Sequence, residues 1–245
     1  MPGSASSATP FDICVENIQV SATTSSPPTS VSSCGAFDDC TVGSYVIEND
    51  DYNSAQCPGT QCITVSETTG AFTVTQGPTC PADDGGLNGE TGSYPNTRYG
   101  TSYGVTGPGS VLPEQVGAIA SATSSWTFSV GGTSTDAWDV AYDIWFCPTG
   151  PSASDAGNAC GGPSGFAGGT ELMIWADYQN TGGYEYYLGT TTLPDGSSWE
   201  RWTFTQGTTP NTWTYLAYLY AVQAGIETRV GGMPFVNSSF SVSIE

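Results

Sequence analysis

The chain has 245 residues, enough for one large all-β domain, and it carries 23 Asp and Glu against 3 Lys and Arg with no His at all. The near absence of basic side chains disfavours nucleic acid as a partner. The absence of His excludes Ser-His-Asp triads, Cys-His dyads and His-ligated zinc. Charged residues are only 11% of the chain, so it is depleted in bases and not enriched in acids. Such a chain gains little positive charge when its carboxylates protonate, which favours adaptation to acidic pH.

The N-terminal region is predicted to be an extension of a single domain. Residues 1–10 are expected to be disordered, and because they lack an apolar segment, any signal peptide is expected to have been removed. The domain is predicted to span 11–245, with a first strand over 11–26. Within it, 11–40 is a disulfide-pinned extension, and its part from 27 on is expected to be a loop.

The rest of the chain shows short apolar runs between Gly, Pro, Asn and Ser clusters, without a helical period. This pattern predicts an all-β fold of two antiparallel sheets whose aromatic side chains line a groove. Residues 77–103 are expected to be mostly loop, and 124–132 and 137–146 to form a pair of strands. The other predicted strands are 43–50, 61–67, 70–77, 171–178, 184–193, 198–206, 212–227 and 238–244. No apolar run approaches the 18 residues of a membrane-spanning helix.

The eight cysteines indicate disulfides formed in an oxidising compartment, hence a secreted protein. Cys57 and Cys62 have a spacing that resembles half of a zinc site, but no second pair follows, so no metal is expected. Cys147 and Cys160 bracket a Gly/Pro/Ser-rich insertion that a disulfide between them would close. Asn237 opens a formal glycosylation sequon on a predicted strand.

Three predicted strands each carry one acid in an apolar or aromatic setting. In "ELMIW", alternation places Glu171, Met173 and Trp175 on one face and Leu172 and Ile174 on the other, the expected core face. An acid beside a thioether and an indole suits a groove that binds sugar rings and cleaves the bond between them.

The other two acids follow the same logic. In "AVQAGIE", Glu227 shares a face with Gln223 and Gly225, and a glycine at that place leaves room for a ligand. In "DVAYDIWF", Asp143 lies on the face opposite Tyr142.

These motifs, in this order, resemble glycoside hydrolase family 12, the small endo-β-1,4-glucanases with a curved jelly-roll fold and a cleft on the concave face. The resemblance covers roughly residues 40–245. It implies that Glu171 is the nucleophile, Glu227 the general acid/base and Asp143 the support of the nucleophile. It also implies a retaining mechanism on cellulose or mixed-linkage β-glucan, with no cofactor, and a monomeric secreted enzyme.

The resemblance extends to substrate contacts, with departures. The family's sugar platform reads "NDDY" here, so Tyr52, with Asn49 nearby, is expected to replace a tryptophan. Glu171 and Glu227 are only 56 positions apart, so the family's helix is predicted to be reduced or absent. The loop after Tyr178 also departs from the family pattern. Other expected substrate contacts are Tyr94, Asn96, Met173, Trp175, Trp199, Gln223 and Arg229.

Arg229 lies two residues past Glu227, where relatives tend to carry an apolar group. A cation there is expected to lower the pKa of Glu227 and move the pH optimum downward. Removing it should therefore move the basic limb of the pH–rate profile.

The resemblance also implies a Cys40–Cys62 disulfide. With Cys147–Cys160 closing the insertion, Cys14–Cys34 and Cys57–Cys80 remain as the other two pairs. Two alternative functions stay open: a family 11 xylanase with Glu185 as the catalytic acid, and a jelly-roll domain that binds carbohydrate without cleaving it. Among the glucanases, xyloglucan is the alternative substrate.

Overall fold

The computed structural model describes residues 29–81, 92–102, 104–148, 150, 169–181, 186–203 and 217–245. Within these ranges it contains fifteen strands and one short 3₁₀ turn, Val116–Ala118, but no α-helix. The strands are β1 (Ser30–Ser33), β2 (Asp39–Val42), β3 (Tyr45–Glu48), β4 (Ile63–Ser66), β5 (Phe72–Val74), β6 (Asn96–Ser102), β7 (Val105–Thr106), β8 (Glu114–Gln115), β9 (Ala122–Val130), β10 (Ala137–Cys147), β11 (Thr170–Gln179), β12 (Tyr186–Thr192), β13 (Ser198–Thr203), β14 (Tyr218–Val230) and β15 (Phe235–Ile244).

The strands form two main antiparallel sheets, which confirms the predicted all-β sandwich. The smaller sheet has the order β1-β4-β5-β15-β9. The larger has the order β11-β10-β14-β6-β3-β2, with β7 added on β6 and β8 on β14. Strands β12 and β13 pair with each other as a separate two-stranded sheet.

The core lies between the two sheets, and strand alternation decides which residues enter it. Trp138 and Val140 of β10 and Ile226 of β14 cluster with Phe72 and Phe235 of the smaller sheet. Further along β10, Tyr142 and Ile144 pack on a second apolar cluster. Because successive side chains of a strand point to opposite faces, the odd-numbered residues of β10 occupy the other face of the large sheet.

The most consequential correction concerns β6, which lies in the stretch predicted to be mostly loop. It is almost wholly buried and pairs with β14 on one side and β3 on the other. Its sequence, NTRYGTS, contains no apolar alternation because the face away from the core carries Asn96 and Arg98. Strand β1 and the first two residues of β2 likewise lie in the segment 27–40 that was expected to be a loop.

Two further expectations about strands differ from the structure. Strands β9 and β10 match the two strands predicted over 124–132 and 137–146, but β9 pairs with β15 in the smaller sheet while β10 belongs to the larger. Leu172 is 43% exposed, because β11 is the outermost strand of the large sheet as described. It nevertheless lies opposite Ile144 and therefore on the core-side face, as alternation predicted.

Disulfides also correct the prediction. Cys34 bonds to Cys62, which overturns both Cys40–Cys62 and Cys14–Cys34. The pairing of β1 with β4 explains this bond, since Ser33 lies opposite Ile63 and the next residues outward are the two cysteines, with Cα atoms 4.1 Å apart. The predicted Cys57–Cys80 bond is confirmed.

The other cysteine assignments reach beyond the described residues. Cys40 and Cys147 are each disulfide-bonded, but the predicted Cys147–Cys160 pairing lies outside the described residues. Three other predictions also lie outside the described residues: a disordered segment over 1–10, a first strand over 11–26, and, for 204–216, the reduction or absence of the family helix.

Asn237 is buried, and its side-chain oxygen accepts a hydrogen bond from the Trp126 indole at 2.9 Å, which disfavours glycosylation there.

Candidate active site

The candidate site is built around β10, which runs between β11 and β14. On β10, Asp139 lies opposite Glu227 of β14, and Asp143 lies opposite both Gln223 of β14 and Met173 of β11. Trp145 lies opposite Glu171. The three predicted catalytic residues therefore lie on three adjacent strands, with their side chains on the face away from the core.

Asp143 and Glu171 share a hydrogen bond that raises the pKa of Asp143 and lowers that of Glu171. A bond with these two effects has the protonated Asp143 as donor and the Glu171 carboxylate as acceptor. Burial, and then the charge of Glu227, act in the opposite direction and raise the pKa of Glu171 to about 8. The site thus places the carboxyl groups of Glu171 and Glu227 in electrostatic contact and supplies Glu171 with a hydrogen-bond donor.

Tyr94 lies among the acids. Its buried hydroxyl donates a hydrogen bond to the Ala141 carbonyl at 3.1 Å. Burial raises the pKa of this phenol well above its usual range, and the charges of Asp143, Glu227 and Glu171 add to the effect. The phenol is therefore a neutral group on which the carboxyls of three strands converge.

A chain of hydrogen bonds fixes the surface of the large sheet beside these acids. We call this surface the floor of the site. The Trp145 indole donates to Gln223 Oε1 at 2.9 Å, and Gln223 Nε2 approaches Asn96 Oδ1 at 3.5 Å. The Asn96 amide in turn donates to the Tyr94 carbonyl at 2.8 Å. This network ties β10, β14 and β6 together under the site.

Gly225 lies at the centre of this floor, between Ala141 of β10 and Asn96 of β6. A Cβ added to Gly225 would collide with the backbone carbonyl of Pro95 and with Asn96. The glycine is therefore required for close approach between strands, and the expected room for a ligand is filled by the protein itself.

We expect Gly225→Ala to destabilise the fold by about 1–3 kcal/mol, because the added methyl group must displace backbone atoms. Urea unfolding followed by tryptophan fluorescence measures this change. Gly104→Ala is the comparison: Gly104 has a φ of 78°, unlike Gly225, and nothing lies within 4 Å of its added Cβ, so alanine there adds backbone strain without a steric clash. A Gly225→Ala protein as stable as wild type would show that the strands separate easily here.

Not all predicted substrate contacts are accessible. Asn49, Tyr94 and Asn96 are buried and held by hydrogen bonds within the protein, so they are structural residues in this conformation. The amide of Asn49 donates to Gly35 and Gln61 carbonyls, and Gln61 donates back to it. Gln223 is likewise buried and belongs to the floor.

The remaining predicted contacts retain exposed surface. Met173 and Trp175 lie opposite Asp143 and Ala141, on the site face, and are half-buried. Tyr52 is 39% exposed and follows β3. Trp199 is 38% exposed but lies on β13, in the separate two-stranded sheet, where its indole donates to Ser197 of the adjoining turn.

A second acidic group lies at the β3–β6 side of the floor. Arg98 and Glu48 form a buried salt bridge of 2.7 Å. Asp50, in a left-handed conformation with φ of 35°, has a pKa raised by burial and then by the charge of Glu48, with a smaller contribution from Glu227. Asp50 therefore lies within electrostatic reach of the predicted acid/base.

Arg229, which was expected to act on Glu227, interacts with Asp139 and Thr181. Its Nη1 lies 3.7 Å from Asp139 Oδ2 and donates a hydrogen bond to the Thr181 hydroxyl at 2.6 Å. The cation thus links β14 to β10 and to Thr181, the second residue after β11. The effect of Arg229 on the pKa of Glu227 stays a prediction.

Sequence reasoning missed three residues of the site, Asp139, Trp145 and Asp50. The first two could have been found, because they share the odd-numbered face of β10 with Asp143. Asp50 carries no such signal, since its position depends on a backbone turn. Glu185, the alternative catalytic acid, lies outside the described residues.

The described part of the chain was searched for metal-binding groups and for membrane-spanning helices. No group of three or more Cys, Asp or Glu side chains there is arranged to hold a metal ion. None of its helices is long and apolar enough to cross a membrane.

Comparison with solved structures gives close matches over most of the chain. A metagenome-derived glycoside hydrolase family 12 endoglucanase matches with a TM-score of 0.71 and 27% identity, over 89% of this chain and 99% of that one. Endoglucanase cel12A from Rhodothermus marinus matches with a TM-score of 0.71 and 28% identity, over 88% and 99%. A family 12 xyloglucanase from Bacillus licheniformis, at 19% identity and a TM-score of 0.66 over 88% and 100%, shares the fold.

No curated protein sequence matches the chain significantly. The family model described as glycosyl hydrolase family 12 matches residues 43–218, which include Asp143 and Glu171 and end before Glu227. This match spans well over half of the chain, and the solved structures above agree with it. The chain therefore belongs to glycosyl hydrolase family 12.

Proposed function

We propose that this glycosidase is an endo-β-1,4-glucanase that cleaves internal bonds of cellulose or mixed-linkage β-glucan with retention of configuration. The observation that carries the proposal is the pairing of Glu171 with Asp143 and Glu227. Asp143 donates a hydrogen bond to the Glu171 carboxylate, and the charge of Glu227 acts on the same carboxylate. Retaining glycosidases need such a pair, one group ionised to attack and the other protonated to assist departure.

In the first step, the Glu171 carboxylate attacks the anomeric carbon, and the bond from that carbon to the leaving glycosidic oxygen breaks. Glu227 donates its proton to that oxygen. In the second step, Glu227 removes a proton from water, the water oxygen bonds to the anomeric carbon, and the ester to Glu171 breaks. Asp143 holds the carboxylate of Glu171 in one orientation during both steps.

The setting of the reaction follows from composition and cysteine content. Disulfides are typical of secreted proteins, and a polymeric substrate outside the cell requires a secreted enzyme. The scarcity of basic side chains supports activity at acidic pH, because the chain gains little positive charge when its carboxylates protonate. We propose that the enzyme acts as a secreted monomer without a cofactor.

The test is hydrolysis of four polymers: carboxymethylcellulose, mixed-linkage β-glucan, xyloglucan and xylan, each at pH 2 to 6. We expect reducing ends from the first two, with viscosity falling early, as internal cleavage requires. Cleavage of xylan alone would contradict the proposed glucanase activity and make the protein a xylanase with a family 12 fold. Binding to these polymers without any new reducing ends would make the protein a carbohydrate-binding domain.

A further inference from the structure

Asp139 is a buried acid that the reaction above does not use. Its side chain is fully buried, and neither carboxyl oxygen has a partner at ordinary hydrogen-bond distance. The nearest cation is Arg229, whose Nη1 lies 3.7 Å from Oδ2, longer than a hydrogen bond. Leaving a buried carboxyl without hydrogen bonds is costly, so its position calls for a functional reason.

The position of Asp139 in the sheet suggests that reason. It lies directly opposite Glu227, and directly opposed residues of antiparallel strands have Cβ atoms about 4.5–5.5 Å apart. Both are on the face away from the core. Two carboxylates in such a place repel each other, and their ionisations are coupled.

The other charged groups around the pair are mostly acids. Glu171 of β11 acts on both Asp139 and Asp143, and Asp143 lies two residues along β10 on the same face. On the far side, Asp50 acts from the turn after β3. Arg229 is the cation held against Asp139, with its guanidinium also fixed by Thr181.

We propose that Asp139 and Glu227 act as one pair that holds a single proton, with Asp139 as a positioning residue that keeps the acid/base protonated. Removing the last proton from the pair would leave two adjacent anions in a buried setting, so that proton is held more tightly than by Glu227 alone. Arg229 limits this effect by stabilising negative charge on Asp139. In agreement, burial and then the charge of Glu227 raise the pKa of Asp139, and Arg229 lowers it.

The proposal rests on the proposed role of Glu227 but has its own test. Carbon-13 NMR of protein labelled at Glu side-chain carboxyls follows the titration of Glu227, whose signal is assigned by its loss in Glu227→Gln. In Asp139→Asn, the upper pKa seen at Glu227 is expected to fall by about one unit or more. In Arg229→Gln, it is expected to rise, because the pair loses its cation.

Asp177→Asn is the matched control. It removes the same charge from an exposed residue of β11 whose neighbour across the ladder is Val140, and it should leave the titration of Glu227 unchanged. An unchanged pKa in Asp139→Asn, or shifts in the same direction in both test variants, would overturn the proposal. If Asp139→Asn does not fold, an unchanged or lowered pKa in Arg229→Gln overturns it alone.

Failure of the proposed function would look different. If Glu227→Gln kept full hydrolytic activity, Glu227 would not be the acid/base, yet its titration would still show whether it is coupled to Asp139.

Discussion

Replacing Glu171 by Gln is expected to lower kcat on β-glucan by about 10⁴-fold or more, while leaving binding of cello-oligosaccharides nearly unchanged. Gln cannot form the ester to the anomeric carbon, so the first step loses its nucleophile. The amide keeps the size of the side chain and removes a charge that is unfavourable in this buried, acidic setting. Initial rates on mixed-linkage β-glucan, with calorimetric titration of cellotetraose, measure the two effects separately.

Glu67→Gln is the control for this change. Glu67 follows β4 of the smaller sheet, outside the site, and the same substitution there should leave kcat within a factor of two of wild type. A Glu171→Gln protein that keeps more than a tenth of the wild-type kcat would show that another group attacks the sugar.

The free energy of unfolding is expected to fall as the pH rises from about 4 to 8. Burial raises the pKa of Asp50, Asp51, Asp139 and Asp143, and it raises that of Glu171 to about 8. Between the ordinary pKa of an acid and its raised value, the folded chain holds a proton that the unfolded chain has released. Stability from these groups is thus complete at low pH and is lost as the pH rises through the raised values.

Each such proton changes the free energy of unfolding by about 1.4 kcal/mol per pH unit, so one net proton corresponds to about 3 kcal/mol between pH 5 and 7.

Asp136 depends on pH in the opposite sense. Burial tends to raise its pKa, but hydrogen bonds from Gly232 and Thr133 lower it overall, so its contribution is lost only in stronger acid, below about pH 4.

Urea unfolding at each pH from 3 to 8 measures this dependence. Glu171→Gln provides an internal comparison, since it removes one of the raised groups and should make the decline shallower. Greater stability at pH 7 than at pH 5 would contradict the assignment of these buried acids.

Alternation along two strands was enough to predict which acidic side chains share the face away from the core. On β10 and β14, large apolar residues such as Val140 and Ile226 occupy every second position and fill the core. The positions between them must then share the opposite face, where Asp143 and Glu227 lie. This inference succeeds because both strands are long and central, so each face has one consistent environment.

The same reasoning failed where a strand has no apolar face to reveal it. Strand β6 is buried, but it carries Asn96, Arg98 and Gly100 on the site side, so its sequence looks like a loop. The buried charge of Arg98 is matched by Glu48, some fifty residues earlier in the chain. Such a pairing depends on sheet order, which a local pattern does not contain.

The disulfides show a related limit. Cys34 and Cys62 are joined because β1 pairs with β4, and β1 is a four-residue strand of Ser and Val that resembles a linker. Cys40 instead lies on β2, where it packs in the core among apolar residues. Without the register of these short strands, the pairing could not be derived.

The most direct test of the account is to trap the covalent intermediate on the enzyme. Incubation with 2,4-dinitrophenyl 2-deoxy-2-fluoro-β-cellobioside should inactivate the protein and add one fluorocellobiosyl group. Mass spectrometry of the digested protein should place that group on Glu171, and Glu171→Gln should remain unlabelled. A label on any other carboxylate, or release of products with inverted configuration and no label, would contradict Glu171 as nucleophile.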